Sequence, residues 1–513
     1  MLLPDLATHL SLRPNPGSEP AAWPAAEVSS VTHRADWVTP GALFVAIRGQ
    51  THDGHDFLQE AAARGAVAAL GEGGLSEEQA ARSPLPYLPV QDARAALADA
   101  AALLSGHPSR HLRTVGVTGT DGKTTTTWLT AALLRAGGLA TGLLSSPGYQ
   151  LPDGRLRAYP AHFTTPEAPQ LQGLLRGMVD AGAQAAVIET SSHALVLERV
   201  RGVAWDAAIW THLSQEHLDF HGTLEEYFSA KRRLIERAPL AVLNLDDPWT
   251  RRLRGAAPQE LTYSAAGGAG ADWRASDLRS EAGGRASFAV DGPAGRFRAA
   301  LPLTGDFQMG NALAAMAAAH HFGVEAAALQ AGLQEFRGPP GRMQQLPTGP
   351  GQPRVVSDSA HTPLSLEHSL RALRPLTSGQ LWAVVGSAAG GRDTSKWGPV
   401  AAAASTWADR VILTEADHRE TPLDEILDVM AAAAVRDNWQ RIGDRAQAIA
   451  YAVACAGPED TVLIANKGGE HFLQRGRTVY RWNDAEAAEA ALRGELYRPQ
   501  AVAEPERTQG RSS

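Results

Sequence analysis

A single cysteine, Cys455, occurs among 513 residues, so neither a disulfide framework nor a cysteine-based zinc site can be assembled within one chain. A reducing compartment fits that scarcity, and the cytoplasm is the expected location. Nowhere do apolar residues run for the roughly twenty positions that a membrane span needs. The first residues, Met1-Leu-Leu-Pro-Asp-Leu6, lack a basic region, a long apolar run and a small-residue cleavage site, so no signal peptide is expected. Basic residues are not in excess: 47 Lys and Arg stand against 55 Asp and Glu, a formal net charge of −8. That balance speaks against a basic nucleic-acid-binding face. An anionic ligand must instead be held by local basic groups and helix ends. Short-period repeats are also absent, and the alanine and glycine bias is mild.

The chain is too long for one ordinary core; at ~150 residues per domain, about three are expected. Its 44% apolar content and 12 tryptophans suit well-packed globular units. Residues 1–108 mix short strands with an alanine-rich helix from Asp92 to Leu104, ending in the linker Ser105-Gly-His-Pro-Ser109. In residues 109–337 the apolar runs Thr114–Val117, Ala185–Ile188, Ala207–Trp210 and Leu240–Leu245 alternate with helical patterns, which predicts a parallel sheet covered by helices. Gly338-Pro-Pro-Gly341 marks the next boundary. Residues 338–499 repeat the alternation through Val355-Val356, Leu381–Val385, Arg410–Leu413 and Thr461–Ile464, so this block is expected to be doubly wound too. The polar tail, 500–513, lacks periodicity and is expected to fray.

The most informative segment is Thr114-Val-Gly-Val-Thr-Gly-Thr-Asp-Gly-Lys-Thr-Thr-Thr126, a strand running into a glycine-rich loop that opens a helix. Gly119 and Gly122 let the backbone approach an anion, and the helix N-terminus supplies free N–H donors and a positive dipole. Lys123 would offset β/γ-phosphate charge and the Thr124 hydroxyl would reach Mg²⁺. Val117 stands where a strict P-loop has its first glycine, which argues against a generic kinase or GTPase. Further strands end in polar clusters: Glu189-Thr-Ser-Ser-His193, Thr211-His-Leu-Ser-Gln-Glu-His217, Ser357-Asp-Ser-Ala-His361, Gly390-Gly-Arg-Asp393, Glu415-Ala-Asp-His-Arg419 and Asn466-Lys-Gly-Gly-Glu-His471. One such cluster is usually just a loop. Their repetition at strand ends is what marks a ligand crevice in an open α/β sheet.

Glu189, leaving the strand expected next after the P-loop strand, is placed to hold Mg²⁺ near Thr124, or else is a helix N-cap acid. His217 could bind a second metal ion, although lone histidines are more often structural. Thr223-Leu-Glu-Glu226 is a capping box that opens a helix, and Leu224, Tyr227, Phe228, Leu234 and Ile235 share the face of Lys231. Lys231 therefore points inward, where burial lowers an amine's pKa and exposes a nucleophile. The alternative is a lysine that snorkels to water.

Taken in order, these segments resemble the Mur ligases, and among them the MurE group, over nearly the whole chain. The resemblance is carried by Val38-Thr-Pro-Gly-Ala-Leu-Phe-Val-Ala46 with Asp53-Gly-His-Asp-Phe57, by Thr118-Gly-Thr-Asp-Gly-Lys-Thr-Thr125, by Thr164-Thr-Pro166, and by Glu189-Thr-Ser-Ser-His-Ala-Leu195 with Arg199. Leu218-Asp-Phe-His221 running on to Lys231, Gly341-Arg342, Asp358-Ser-Ala-His-Thr-Pro363 and Lys467-Gly-Gly-Glu470 complete it. It implies a three-domain α/β architecture: an N-terminal uridine-binding domain, a central P-loop ATPase domain with a parallel sheet, and a Rossmann-like C-terminal domain. The implied activity is ATP-dependent addition of a diamino acid to UDP-N-acetylmuramoyl-dipeptide through an acyl phosphate, by a cytoplasmic monomer acting on small molecules.

By the same resemblance, Gly119, Thr120, Asp121, Gly122, Lys123, Thr124, Thr125, Asn311, Arg342 and Asp358 hold ATP. Thr124, Glu189, His217 and a CO₂-carbamylated Lys231 hold two Mg²⁺ ions, with Lys123, Lys231 and His217 catalytic. Thr164, Thr165, Ser191 and Arg199 hold the muramoyl-dipeptide, while Arg392, Asp417, Arg419 and Glu470 form the amino-acid pocket. Several positions depart from the family pattern. The family's Asp-Ser-Arg is Thr32-His-Arg34, which leaves the uridine contacts in doubt. His212, Gln308 and Ser359 replace an Asn, an Asn and a Tyr, and the diaminopimelate-type Asp-Asn-Pro-Arg reads Ala416-Asp-His-Arg419. An acid in place of the amide at Asp417 tilts the expectation toward L-lysine or L-ornithine, and Arg419 argues the other way. The competing readings are a folylpolyglutamate-type or other acidic-acceptor ligase, and a nucleotide-binding paralogue without catalysis.

Overall fold

Four sheets carry the chain in the computed structural model, which describes residues 1–10, 25–49, 52–159, 164–281, 285–302, 305, 307–389 and 394–502. Near the N-terminus, Ser30–Thr32, Ala42–Ala46, Ala66–Glu72 and Tyr87–Val90 pair in parallel, with the helix Ala93–Leu104 against them. Asp92 begins that helix by accepting from the Ala95 N–H at 2.9 Å, so it is a cap rather than the first helical residue.

The central sheet is built on Leu240–Asn244, Ala207–Trp210, Arg113–Thr118, Ala185–Glu189 and Thr141–Ser145, in that spatial order and all parallel. Alternate residues face opposite ways, so each strand feeds two cores. Val115, Val117, Val187 and Ile209 pack with Leu129, Leu133 and Leu134 of the helix Lys123–Ala136. Ile188, Ala208 and Trp210 pack with Leu171, Leu175, Leu234 and Ile235 on the other face. Two findings differ from the expected arrangement. Thr141–Ser145 follows the P-loop strand in sequence, and Ala185–Glu189 is its neighbour in space. The sheet is also not wholly parallel: Arg285–Gly292 and Gly295–Leu301 extend it as antiparallel strands. The turn Asp291-Gly-Pro-Ala-Gly295 closes that hairpin locally, without a crossover helix.

In the last third, Arg354–Ser357, Thr461–Ile464, Leu381–Val385, Arg410–Leu413 and Trp439–Arg441 form a parallel sheet, again buried on both faces. Gln500–Ala501 pairs with Thr478–Arg481, so the start of the expected tail is a short edge strand. Beneath the carboxyl end of the parallel sheet lies the fully buried pair Arg445–Asp484, at 2.7 Å. Arg445 also donates to the carbonyls of Ala465 and Glu415, and Asp484 accepts from the Gly468 N–H. This pair ties two strand-end loops together. Replacing Arg445 by Met leaves an unpaired buried carboxylate, and the expected cost is about 3–5 kcal/mol. Chemical denaturation of the variant beside the parent protein checks this.

Candidate active site

Gly119 adopts φ 148°, and a Cβ there would lie 1.9 Å from the Thr211 hydroxyl, so only glycine fits the turn. The loop is held from the neighbouring strand end. The Thr120 N–H donates to the His212 carbonyl (2.6 Å), the Thr120 hydroxyl donates to the Ser214 carbonyl (3.1 Å), and the Thr211 hydroxyl donates to the Asp121 carbonyl (2.6 Å). Gly122, with φ 83°, leads into the helix Lys123–Ala136, and Thr125 is buried in its first turn. Lys123 folds back onto the carbonyls of Gly119 (3.0 Å) and Thr120 (2.7 Å), which keeps its ammonium over the loop.

Thr124 is the meeting point. Its hydroxyl donates to Glu189 Oε1 at 2.9 Å, which leaves the Thr124 hydroxyl oxygen to act as an acceptor. Arg342, from the last third of the chain, donates to the same oxygen at 3.4 Å. Glu189 is 1% exposed and also accepts from the Ser146 N–H (2.8 Å) and hydroxyl (3.0 Å). Those bonds to backbone and hydroxyl anchor the carboxylate, and the N-cap role belongs to Ser191, which accepts from the Ala194 N–H. Nothing in the sequence around Ser146 signalled its part.

The helix Leu224–Arg237 opens with the capping box expected at Thr223 and Glu226. It carries Lys231 inward, 1% exposed, with its ammonium 2.6 Å from the Gly119 carbonyl and 4.4 Å from the Tyr227 ring centre. Burial, then the nearby Lys123 charge, pushes the Lys231 pKa well down. Arg232 and Arg233 are about half exposed, at 41% and 46%. His217 sits in left-handed backbone (φ 56°) with its ring against His193. Desolvation, opposed by Glu216 and aided by Lys231 and Lys123, holds its imidazole down to about 4, hence neutral near pH 7 and able to offer a lone pair. Among the described residues no cluster of three or more His, Cys, Asp or Glu could hold a metal by itself, so an ion here needs hydroxyl, phosphate or carbamate oxygens as well.

Thr164, Thr165, Ser191 and Arg199 gather beside Glu189. Thr164 accepts from the Ser146 hydroxyl (3.2 Å), and Thr165 donates to the Glu189 carbonyl (2.8 Å) while accepting from the Ser191 N–H (3.1 Å). Arg199 donates to the Thr165 carbonyl (3.2 Å) and pairs with Glu167 at 2.7 Å. Asn311 accepts from the Thr126 hydroxyl (3.1 Å) and lies close against Gly122. Asp358 accepts from the N–H groups of Met343 (2.6 Å) and Ala360 (2.7 Å), and burial, opposed by Arg342, raises its pKa.

The last third meets the P-loop unit at a second point: His361 bonds Glu216 at 2.7 Å. Burial favours protonation of Glu216, yet His361 and His217 hold its carboxyl well below the usual carboxylate range. Farther out, Asp417 and Glu470 stand together, joined by Lys467, which the sequence marked as part of the Lys467-Gly-Gly-Glu470 motif without giving it a role. Arg419 lies on the same turn in left-handed backbone (φ 51°), and Arg392 falls outside the described residues.

Residues 27–104 match the description "Mur ligase family, catalytic domain", residues 117–319 "Mur ligase middle domain" and residues 341–468 "Mur ligase, glutamate ligase domain". The chain belongs to the Mur ligase family. It is 59% identical over 495 residues to a UDP-N-acetylmuramyl-tripeptide synthetase of Deinococcus radiodurans, covering 96% of this chain and 99% of that one. It is 40% identical to a UDP-N-acetylmuramoyl-L-alanyl-D-glutamate–2,6-diaminopimelate ligase of Streptomyces coelicolor, covering 96% of each chain. A solved structure of a ligase of that second name superposes with a TM-score of 0.65 at 29% identity, over 96% of this chain and 99% of the other. The protein is an enzyme, an ATP-dependent Mur ligase of the MurE type, acting in peptidoglycan synthesis. No helix among the described residues is long and apolar enough to cross a membrane.

Proposed function

We propose that this Mur ligase joins a diamino acid to UDP-N-acetylmuramoyl-L-alanyl-D-glutamate in the cytoplasm, and that it takes L-lysine or L-ornithine in preference to meso-diaminopimelate. The observation that carries the chemistry is the convergence on Thr124 of the P-loop hydroxyl, the buried Glu189 carboxylate and the Arg342 guanidinium. In this reading the γ-phosphoryl group of ATP passes to the D-glutamyl side-chain carboxylate, giving ADP and an acyl phosphate. The neutral α-amine of the diamino acid then attacks the acyl carbon; the C–N bond forms, phosphate leaves with the C–O bond electrons, and the amine loses its proton. Lys123 and the loop N–H groups of Gly119, Thr120, Asp121 and Gly122 position and offset the phosphates, with Thr125, Asn311, Arg342 and Asp358 around the nucleotide.

Thr124, Glu189 and neutral His217 offer oxygen and nitrogen lone pairs that suit Mg²⁺. Two such ions, when bound, offset the phosphoryl charge. Lys231 completes the set as a carbamate: its amine is buried with one carbonyl for a partner, and CO₂ added to the neutral amine forms an N–C bond at the expense of one C=O π bond, releases one proton and leaves an anion. Thr164, Thr165, Ser191 and Arg199 receive the acidic dipeptide. Arg392, Asp417, Arg419 and Glu470 receive the amino acid, and the acid at Asp417 supports the basic substrate.

The test is incubation of the purified protein with ATP, Mg²⁺ and UDP-N-acetylmuramoyl-L-alanyl-D-glutamate, adding L-lysine, L-ornithine or meso-diaminopimelate separately. Phosphate release and product mass are measured. A tripeptide product with a basic diamino acid is expected; ATP binding without product from any of the three overturns the reading in favour of another acceptor or a non-catalytic paralogue.

A further inference from the structure

The loop that carries Asp417 and Arg419 is held from outside. It leaves the strand Arg410–Leu413 through Glu415, whose side chain is 3% exposed. Arg475, on the hairpin strand Phe472–Arg475 and beyond every motif read from the sequence, takes that carboxylate with two nitrogens of its guanidinium. Nε donates to Oε2 at 2.9 Å and Nη2 to Oε1 at 2.5 Å. Glu415 Oε1 also accepts from the Arg445 N–H at 2.9 Å. Nη2 of Arg475 reaches on to Asp444 Oδ2 at 2.9 Å, and Asp444 caps the helix Arg445–Cys455 by accepting from the Gln447 N–H. A planar fork fixes the orientation of a buried carboxylate, whereas a lysine would supply only a point charge.

The same hairpin strand runs along the backbone of the loop. The Gln474 N–H donates to Asp417 Oδ1 at 2.8 Å, and the Gln474 carbonyl accepts from the Arg419 N–H at 3.4 Å. Arg419 and Arg475 pair there as a parallel bridge. Arg419 lies in left-handed backbone (φ 51°), which a residue with a Cβ keeps only where its surroundings impose it. Gln474 supplies two of the bonds that do so, and Arg475 supports them through Glu415. A second arginine, at the hairpin turn, gives the contrast. Arg477 pairs with Glu420 at 2.7 Å, but the two side chains are 83% and 68% exposed, so water screens the pair and it holds little.

We infer that Arg475 is a positioning residue for the incoming amino acid: acting through Glu415, it fixes the loop so that Asp417 and Arg419 stand in the orientation that receives substrate. This rests on the reading above, in which those two residues receive the amino acid. Without the guanidinium, the buried Glu415 carboxylate keeps the Arg445 N–H as its donor, and the Asp444 carboxylate that shared the same nitrogen is left beside it. The strand end then opens toward water to relieve both charges. Asp417 and Arg419 move with it. The loss falls on amino-acid binding rather than on phosphoryl transfer, which the P-loop carries.

The experiment measures kcat and the KM of the amino acid at saturating ATP and UDP-N-acetylmuramoyl-L-alanyl-D-glutamate, using whichever of L-lysine, L-ornithine or meso-diaminopimelate the parent enzyme joins. Arg475→Met should raise that KM about tenfold, with kcat and the KM of ATP within about threefold of the parent values. Arg475→Lys keeps the charge without the fork and should raise it about threefold. Glu415→Gln should act as Arg475→Met does, and the double variant should cost no more than either single change, because both lie on one path. Arg477→Met should leave the KM at the parent value. A merely structural role lowers the melting temperature and the active fraction, which cuts apparent kcat and leaves the KM of the amino acid where it was. A parent-like KM in Arg475→Met, single effects that multiply in the double variant, or an equal rise in Arg477→Met overturns the inference. Should Arg475→Met not fold, Arg475→Lys and Glu415→Gln carry the test, and a parent-like KM in either overturns it. Asp417→Asn separates this inference from the pocket reading. If that variant raises the KM and Arg475→Met does not, the inference alone fails; if neither does, the pocket reading fails and takes the inference with it. No product from the parent with any of the three amino acids overturns the ligation reading and this inference together.

Discussion

Lys123→Ala is expected to lower substrate-dependent phosphate release by about 10³-fold, the scale seen when a preorganised donor is removed from developing transition-state charge. The ammonium is held over the loop by the Gly119 and Thr120 carbonyls, so its placement is set before nucleotide arrives. Removing it leaves the loop N–H groups in place. ATP binding should therefore weaken far less than turnover, and kcat should carry most of the loss. The fold should persist, because Thr120 keeps its bonds to the carbonyls of His212 and Ser214. Single-turnover phosphate release beside nucleotide-binding measurements separates the two effects. A variant that retained more than about a tenth of the parent rate would remove Lys123 from the phosphoryl-transfer step.

Lys231→Met should abolish turnover and yet stabilise the protein. The buried amine has one hydrogen-bonding partner, the Gly119 carbonyl, and that carbonyl keeps a bond from Lys123 after the substitution. Replacing a buried charge by an apolar side chain of similar volume is commonly neutral or stabilising, here by about 1–2 kcal/mol. The sign of the pH dependence follows from burial, with the Lys123 charge adding to it. The folded-state pKa of Lys231 is depressed, so the unfolded chain binds the extra proton, and the cost to the parent protein grows as pH falls from the alkaline side toward the folded value. Thermal melting in CO₂-free buffer should show the variant melting higher, by a margin that widens toward neutral pH. A variant that melts lower, or a gap that narrows as pH falls, refutes the account of this amine. Added bicarbonate should raise turnover of the parent enzyme and leave the variant inactive.

How much of this could be read along the chain depends on distance in sequence. The strand Arg113–Thr118, the glycine loop and the helix Lys123–Ala136 follow from contiguous residues, because glycine at positive φ, alternating burial and a helix N-terminus are local requirements. The same holds for the capping box at Thr223 and for the inward face of Lys231, set by a helical spacing of three and four residues. Strand ends were legible as polar clusters, and the crevice they line is where Glu216, His361 and Lys467 stand. The hairpin of Arg285–Gly292 and Gly295–Leu301 was not foreseen, since an apolar run does not say whether its neighbour is parallel.

The sequence alone determined that the chain carries a P-loop, two helix-covered parallel sheets and the residue pattern of a Mur ligase. Local backbone preference and periodic burial are encoded within a few residues of one another. Only the tertiary structure decided which charges meet. Arg342 reaches Thr124 across 218 residues, His361 reaches Glu216 across 145, and Lys467 reaches Asp417 across 50. Each of these pairings depends on which strand ends are neighbours and on how far each side chain is withdrawn from water. Coulomb interactions between such groups are strong only when chain topology brings them within a few ångströms and burial lowers the screening.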